Sequence, residues 1–153
     1  MRVRPAVPAD GPALAGLWRQ LDELHAELQP GYFRRPQVTR PPETARILAD
    51  PCQLLAVAEV GELAGLVHAQ LYETPPQPLL VARRRVHIDA LVVDPRFRRR
   101  GLGRQLLRAA DTWARQRGAQ ELLLTLWAGN EAAEAFYRAI GFAPVNVCLA
   151  RPL

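Results

Sequence analysis

The stretch that decides the fold of this chain is VHIDALVVDPRFRRRGLGRQLLRAADTWARQRG, which runs from Val86 to Gly118. It opens with a run of mainly β-branched and apolar residues, turns at Asp94-Pro95, and reaches an arginine run that Gly-Leu-Gly closes. From Gly103 onwards apolar residues recur at helical spacing, and the final glycine ends the pattern. The stretch therefore predicts a strand, a loop and a helix in direct succession.

The junction between this strand and this helix has the physical features of an anion site. The first N–H groups of a helix have no partner inside the helix, and the helix dipole adds positive potential there. Gly101 and Gly103 carry no side chain, so the backbone can approach a phosphate closely. The arginines around the loop are Arg98, Arg99, Arg100 and Arg104. We predict a phosphate-binding turn, and a solvated basic loop is the alternative interpretation.

The spacing of these residues narrows the kind of phosphate ligand. A P-loop requires a lysine, and the chain has none; a dinucleotide fingerprint fits poorly, because Leu106 occupies its third glycine position. The remaining pattern, R-x-x-G-x-G from Arg98 to Gly103, resembles the acetyl-CoA pyrophosphate motif of the GNAT acetyltransferase superfamily. Residues from Asn130 to Phe142 also match that family's N-x-x-A-x-x-F-Y-x-x-x-G-F segment.

The resemblance covers residues 86–142 closely, and the N-terminal half only in its order of elements. It implies the GNAT fold, an α/β (α+β) architecture with a mixed, bent central sheet of about six to seven strands flanked by about four helices. We expect a single domain over residues 1–153. In this family the central strand and the next strand splay apart, and the pantetheine arm of the cofactor enters the gap.

Periodicity and turn residues predict the other elements. A short first strand precedes a helix capped by Asp10, and a second helix, introduced by Pro41-Pro42, covers residues 43–49. A hairpin follows over residues 53–60 and 63–72. The last predicted elements are a strand over 121–127, a helix capped by Asn130, and a final strand over 142–153.

Strict alternation along the central strand predicts which side chains share a face. One face would carry His87, Asp89, Leu91 and Val93, and the other Ile88, Ala90 and Val92. A carboxylate in a strand covered on both sides is costly unless it is paired or solvated, so Asp89 is a functional candidate.

By matching motif positions, the resemblance assigns residues to direct acyl transfer from the co-substrate acetyl-CoA to an acceptor amine. Tyr137 would donate a proton to the CoA sulfur, and Asp89 would serve as the general base. Other candidates for the base are His87, because histidine is a common general base near neutral pH, and Glu27 and His25. The residues implied in cofactor binding are Leu91, Val92, Val93, Arg98, Arg99, Arg100, Gly101, Leu102, Gly103, Arg104 and Asn130.

The resemblance also implies that the N-terminal helix–loop–helix region forms a wall of the acceptor site. Tyr32, Phe33 and His25 are therefore candidate substrate contacts, although packing under a long loop is the preferred interpretation of the two aromatic residues. The acceptor would be a small-molecule amine or a protein N-terminal or side-chain amine. The sequence does not identify it further.

Composition limits the other classes of function. The chain has 153 residues and a formal charge of +5, but its arginines are scattered and no basic helix carries interleaved aromatic residues, so we expect no nucleic-acid partner. The absence of serine excludes a serine nucleophile, and Cys52 and Cys148 have no metal-site spacing. We expect a cytoplasmic protein without a membrane span or a metal, and a possible homodimer. A non-catalytic CoA-binding or regulatory module of the same fold is the alternative function.

Overall fold

The computed structural model describes residues 1–38 and 43–153, so Pro41 and Pro42, predicted to introduce the second helix, lie outside the described residues. The elements are β1 Arg2–Pro5, α1 Gly11–Leu28, α2 Thr44–Ala49, β2 Gln53–Val60, β3 Glu62–Glu73, β4 Arg84–Val93, α3 Leu102–Gln116, β5 Glu121–Leu124 and α4 Glu131–Arg138. Short 3-10 turns precede α1 at Pro8–Asp10 and follow β4 at Pro95–Phe97.

The strands form one mixed sheet in the order β1-β2-β3-β4-β5. The first four strands pair antiparallel, whereas β5 pairs parallel to β4 because α3 returns the chain to the same end of the sheet. The predicted mixed α+β architecture with four helices is confirmed. The predicted number of strands is wrong, because the described residues form five.

Both missing stretches of strand lie near the C-terminus. β5 ends at Leu124 rather than Trp127, and residues 142–153 form no strand. A strand is stable only when its backbone pairs with a neighbour, and no described strand pairs with this tail. Pro144 and Pro152 also lack the N–H donor that such pairing needs. Its apolar side chains remain exposed, with Val147 at 77%.

Helices cover both faces of the sheet and create two core clusters. On one face α3 buries Leu102, Leu106 and Ala110 against β2, β3 and β4. On the other face Leu14 and Leu17 of α1 and Ile47 of α2 pack on β2, β3 and β4. The two faces are called the α3 face and the α1 face below. The apolar stripe predicted for α1 is confirmed by these contacts.

The start of α1 differs from the predicted cap. Asp10 occupies the N-cap position but makes no capping hydrogen bond. Its carboxylate instead binds the Arg4 guanidinium at 2.8 Å and accepts a hydrogen bond from the Val7 N–H at 2.8 Å. The predicted N-cap position of Asp10 is confirmed, but its side chain does not cap the helix, because Arg4 on β1 offers a charge-assisted partner.

Candidate active site

The sheet opens between β4 and β5. These strands pair from Arg85↔Glu121 to Ile88↔Leu124, and no described strand pairs with that edge of β4 further on. β4 itself continues to Val93. Residues 91–93, predicted to offer backbone to the pantetheine, therefore lie beside the opening.

A β-bulge at Asp89 explains where the opening begins. His68 pairs with Ala90 and Ala69 pairs with Ile88, so Asp89 is an extra residue without a partner on β3. A bulge bends its strand and increases the local twist, which carries the rest of β4 away from β5. The sequence offered no turn residue or glycine that could reveal it.

The bulge also changes which side chains share a face. Val86 and Ile88 belong to the α3 face, whereas Ala90 and Val92 pack on the α1 face. Leu91 packs on the α3 face, as does Val93. The predicted alternation is therefore wrong beyond Ile88, because one extra residue reverses the order of faces.

Two arginine side chains at the junction of β4 and α3 have no hydrogen-bond or ion-pair partner among the described residues, and they lie next to the N-terminus of the helix. Arg99 has a φ of 61° and Gly101 a φ of 79°, so the backbone curves tightly before Leu102 begins the helix. Arg99 and Arg104 are exposed and make no hydrogen bond or ion pair with any described residue. Both side chains and the first N–H groups of α3 remain available to an anion.

The other residues of this loop have more specific contacts. Arg98 donates to the Val93 carbonyl at 3.1 Å, and the Arg100 guanidinium lies 5.5 Å from the centre of the Phe97 ring. At Gly103 an added Cβ would lie 3.2 Å from Phe136 of α4. The absence of a side chain there therefore permits close packing of α4 against α3, a reason that the sequence did not reveal.

A buried carboxylate fixes the beginning of the loop. Asp94 accepts hydrogen bonds from the Arg96 N–H at 2.9 Å and its guanidinium, and from the Gln20 amide at 3.2 Å. The hydrogen bonds from Arg96 lower the pKa of Asp94 to about 2. Arg96 also pairs with Glu62 at 3.1 Å, so α1 and the β2–β3 turn both hold the loop. Sequence reasoning missed this network, because its members are far apart along the chain.

Tyr137 packs on the α3 face of the sheet. Its ring packs edge-on against Phe136 and Phe142, at centroid distances of 5.2 and 5.5 Å, and it joins the α3-face cluster together with Leu91 and Val93. Burial raises the pKa of its hydroxyl to about 12. Tyr137 is therefore a protonated phenol at neutral pH, and the structure brings it into the cluster that contains two of the predicted pantetheine contacts.

Asn130 caps α4, as predicted: its side-chain oxygen accepts a hydrogen bond from the Ala133 N–H at 3.3 Å. The cap occupies the carbonyl end of the side chain. The amide nitrogen makes no hydrogen bond with a described residue and remains available to a ligand.

Asp89 lies on the α1 face between two histidines. Its Oδ1 is 2.7 Å from His87 Nδ1, and its Oδ2 is 3.7 Å from His68 Nδ1. On the far sides, His87 Nε2 is 3.4 Å from Thr125 Oγ1, and His68 Nε2 is 2.8 Å from Gln53 Oε1. Sequence reasoning singled out Asp89 and His87 but missed His68, Thr125 and Gln53.

A pocket of about 520 Å³ opens beside this cluster. It lies where β3, β4 and the β3–β4 connection meet, and its lining residues are Tyr72, Glu73, Thr74, Pro75, Arg85, His87, Asp89 and Leu123. The pocket therefore combines a carboxylate–histidine pair with space for part of a small ligand.

The candidate contacts from the N-terminal wall form an aromatic cluster with Trp127. Phe33 stacks on His25 at 5.0 Å and meets the Trp127 ring edge-on at 4.9 Å, and Tyr32 lies 5.3 Å from the same indole. None of these residues lines the pocket beside Asp89. Glu27, another candidate base, instead pairs with Arg35 at 3.9 Å.

A mixed sheet that opens beside an arginine- and glycine-containing loop, with a helix N-terminus behind that loop, is the architecture of an acetyltransferase. The chain belongs to the Acetyltransferase (GNAT) family, whose sequence profile matches residues 18–142. The predicted family is thereby confirmed.

Similar proteins support this assignment. The chain is 31% identical to an uncharacterized N-acetyltransferase, YhfO, of Bacillus subtilis (strain 168), over 99% of each chain. It is 33% identical to an aminoglycoside N(6')-acetyltransferase type 1 of Klebsiella aerogenes, over 65% of this chain and 66% of the relative.

Solved structures share the fold. A tetramutant of the BH1408 protein from Bacillus halodurans superposes with a TM-score of 0.94 at 24% identity, and each chain is covered completely. The aminoglycoside N-acetyltransferase AAC(6')-Iy in complex with CoA gives a TM-score of 0.76 at 18% identity, covering 99% of this chain and 98% of that one. Among the described residues, no helix is both long and apolar enough to span a membrane.

Proposed function

We propose that this protein transfers an acetyl group directly from acetyl-CoA to an acceptor amine. The observation that carries the proposal is the opening between β4 and β5, which starts at Asp89 and leads to Arg99 before α3 and Arg104 in its first turn. An extended arm can pair with the free edge of β4 while its phosphates bind the helix N-terminus.

The residues present fit this co-substrate. Arg99 and Arg104, which have no partner among the residues described, would bind the pyrophosphate together with the first N–H groups of α3. The loop residues that would complete this site are Arg98, Arg100, Gly101, Leu102 and Gly103. The backbone of Leu91, Val92 and Val93 and the amide of Asn130 would contact the pantetheine. Acetyl-CoA would supply the activated acyl group.

Two protonation roles follow from the side chains around the opening. Tyr137, kept neutral by burial, would donate its proton to the departing thiolate. Asp89, together with the histidine bonded to it, would take the proton from the acceptor amine. The two groups belong to opposite faces of the sheet, so acid and base would reach the reacting atoms from opposite sides.

The acceptor would enter the pocket beside Asp89. Its volume suits a small-molecule amine or the terminal part of a protein amine, and the aminoglycoside acetyltransferases among its relatives make an aminoglycoside a first choice for screening. A non-catalytic CoA-binding module is the second candidate, and it would need neither the neutral phenol nor the carboxylate–histidine pair.

Thiol release from acetyl-CoA, measured across a panel of amines, tests this proposal. We expect acceptor-dependent release, and we expect Tyr137→Phe to lower kcat by about 10²–10⁴-fold because it removes the proton donor. Asp111→Asn, at an exposed ion pair on α3, is the control and should keep the wild-type rate. Binding of acetyl-CoA without release for any amine would favour the non-catalytic module.

We also propose that the protein acts as a homodimer. The tail after α4 exposes Val145 at 77% and Leu149 at 90%, and β5 is an edge strand built from leucines. An exposed apolar tail and an unprotected strand edge are both liabilities in an isolated chain. Addition of each tail to β5 of a second copy would cover both.

A further inference from the structure

The hydrogen bond between Asp89 and His87 determines which atom of the pair can accept a proton. His87 Nδ1 is 2.7 Å from Asp89 Oδ1, a short distance typical of a charge-assisted bond. An ionised carboxylate can only accept hydrogen bonds, so His87 Nδ1 must carry the hydrogen. In neutral His87 the lone pair is therefore on Nε2.

His87 Nε2 points toward the opening of the sheet. Among the described residues it lies within hydrogen-bonding range of Thr125 Oγ1, at 3.4 Å, a distance too long for a strong hydrogen bond. Thr125 directly follows Leu124, the last residue of β5 that pairs with β4. The His87 side chain is 30% exposed and lines the 520 Å³ pocket, so a ligand there can reach the lone pair.

The second histidine beside Asp89 does not compete for this role. His68 Nε2 lies 2.8 Å from the amide oxygen of Gln53, an acceptor, so the hydrogen of neutral His68 is on Nε2. Its Nδ1 faces Asp89 at 3.7 Å without a hydrogen bond. Burial lowers the pKa of His68, although the charge of Asp89 opposes the shift. His68 thus stays neutral at pH 7. The Asp89 carboxylate is therefore hydrogen-bonded to His87 and not ion-paired with His68.

We propose that His87 Nε2 is the atom that accepts the proton of the acceptor amine, and that Asp89 is a positioning residue that acts through His87. This inference rests on the proposed acetyl transfer. An N–H bond of the ammonium breaks, a bond forms between that hydrogen and Nε2, and the electron pair of the broken bond stays on the amine nitrogen for attack. The resulting imidazolium is stabilised by the Asp89 carboxylate at 2.7 Å.

The tautomer can be measured without an acceptor. We expect ¹⁵N NMR of the labelled protein at mildly alkaline pH to show His87 with hydrogen on Nδ1, and Asp89→Asn to abolish that preference. His68, bonded to Gln53, serves as the internal reference and should show hydrogen on Nε2 in both proteins. A wild-type His87 with its hydrogen on Nε2 would overturn the inference, whatever the enzyme's activity.

Kinetics separate His87 from Asp89, with the best amine of the panel as acceptor. We expect His87→Ala to lower kcat by about 10²–10⁴-fold and added imidazole to restore part of the rate, which a purely structural loss would not allow. We expect Asp89→Asn to lower kcat without imidazole rescue, since His87 is still present. Wild-type protein with the same concentration of imidazole is the control and should show no gain in rate.

The outcomes distinguish the inference from the function on which it rests. If wild-type protein turns over but His87→Ala is equally fast, the proton goes elsewhere and only the inference fails. If His87→Ala is slow and imidazole gives no rescue, His87 has a structural role and the inference fails as well. If no amine supports turnover, the proposed function fails and the inference fails with it.

Discussion

At the scale of single residues, Asp94 has the most clearly defined energetic role. The residue is only 5% exposed, and its carboxylate accepts hydrogen bonds from Arg96 and Gln20, which keep it ionised. We expect Asp94→Asn to lower the free energy of unfolding at pH 7 by about 1.5–3 kcal/mol, the range for hydrogen bonds to charged groups. Urea denaturation measures this change. Asp111→Asn, at an exposed ion pair on α3, is the control and should lower the free energy of unfolding far less.

The pH dependence of this contribution has a definite sign. The folded-state pKa of Asp94, about 2, lies below its ordinary value of 3.8. Its stabilising contribution is therefore present above pH 4 and disappears as the pH falls through about 2. The difference in stability between wild type and Asp94→Asn should shrink over that acidic window. A difference that stays constant there would contradict the assigned role.

Residue identities alone selected the candidates for the site, but they could not give its geometry. Asp89, Tyr137 and the arginines could be selected from motif matches alone. His68 and Thr125 could not, because their place beside Asp89 and His87 depends on strand register, which no local pattern specifies.

At the scale of elements, close contact between β3 and β4 supports the opening of the sheet. A Cβ added to Gly65 would lie 2.6 Å from the Val92 carbonyl, a backbone atom that cannot move without shifting β4. We expect Gly65→Ala to lower the free energy of unfolding by about 1–3 kcal/mol, as overpacking does, and to weaken acetyl-CoA binding. Thermal unfolding and calorimetry measure the two effects.

Gly16 provides the matched control for this substitution. It lies inside α1, with open space around its added Cβ, so Gly16→Ala should raise stability by about 0.5–1 kcal/mol through helix propensity. If Gly65→Ala were as well tolerated as Gly16→Ala, the tight contact between the strands would not exist.

Elements with strong periodicity were predictable, and elements defined by pairing were not. The Leu106–Ala110–Trp113 spacing identified α3, and the two apolar runs around Gly61 identified the hairpin. The bulge at Asp89 depends on the register between β3 and β4, and the early end of β5 follows from the bend that the bulge introduces into β4. These features arise only when the sheet assembles, so the sequence pattern could not locate them.

At the scale of the whole molecule, the tail after α4 should determine the oligomeric state. We expect wild-type protein to sediment as a dimer at micromolar concentration, and Val147→Lys to shift it to a monomer, because a charge would replace an apolar contact. Asn146→Lys introduces the same charge on the adjacent residue, which would lie on the other face of a strand, and should leave the dimer intact. A wild-type monomer over the whole concentration range would contradict the proposed dimer.

The central claim, that this sheet opening and this loop bind acetyl-CoA, is tested most directly by calorimetric titration. We expect micromolar binding of acetyl-CoA and CoA, with weaker binding of an adenine nucleotide that lacks pantetheine. Arg104→Glu, at the start of α3, should weaken binding at least tenfold, whereas Arg115→Glu, which makes the same charge change near the end of that helix, should bind like wild type. No heat from acetyl-CoA, or equal weakening by both variants, would contradict the account.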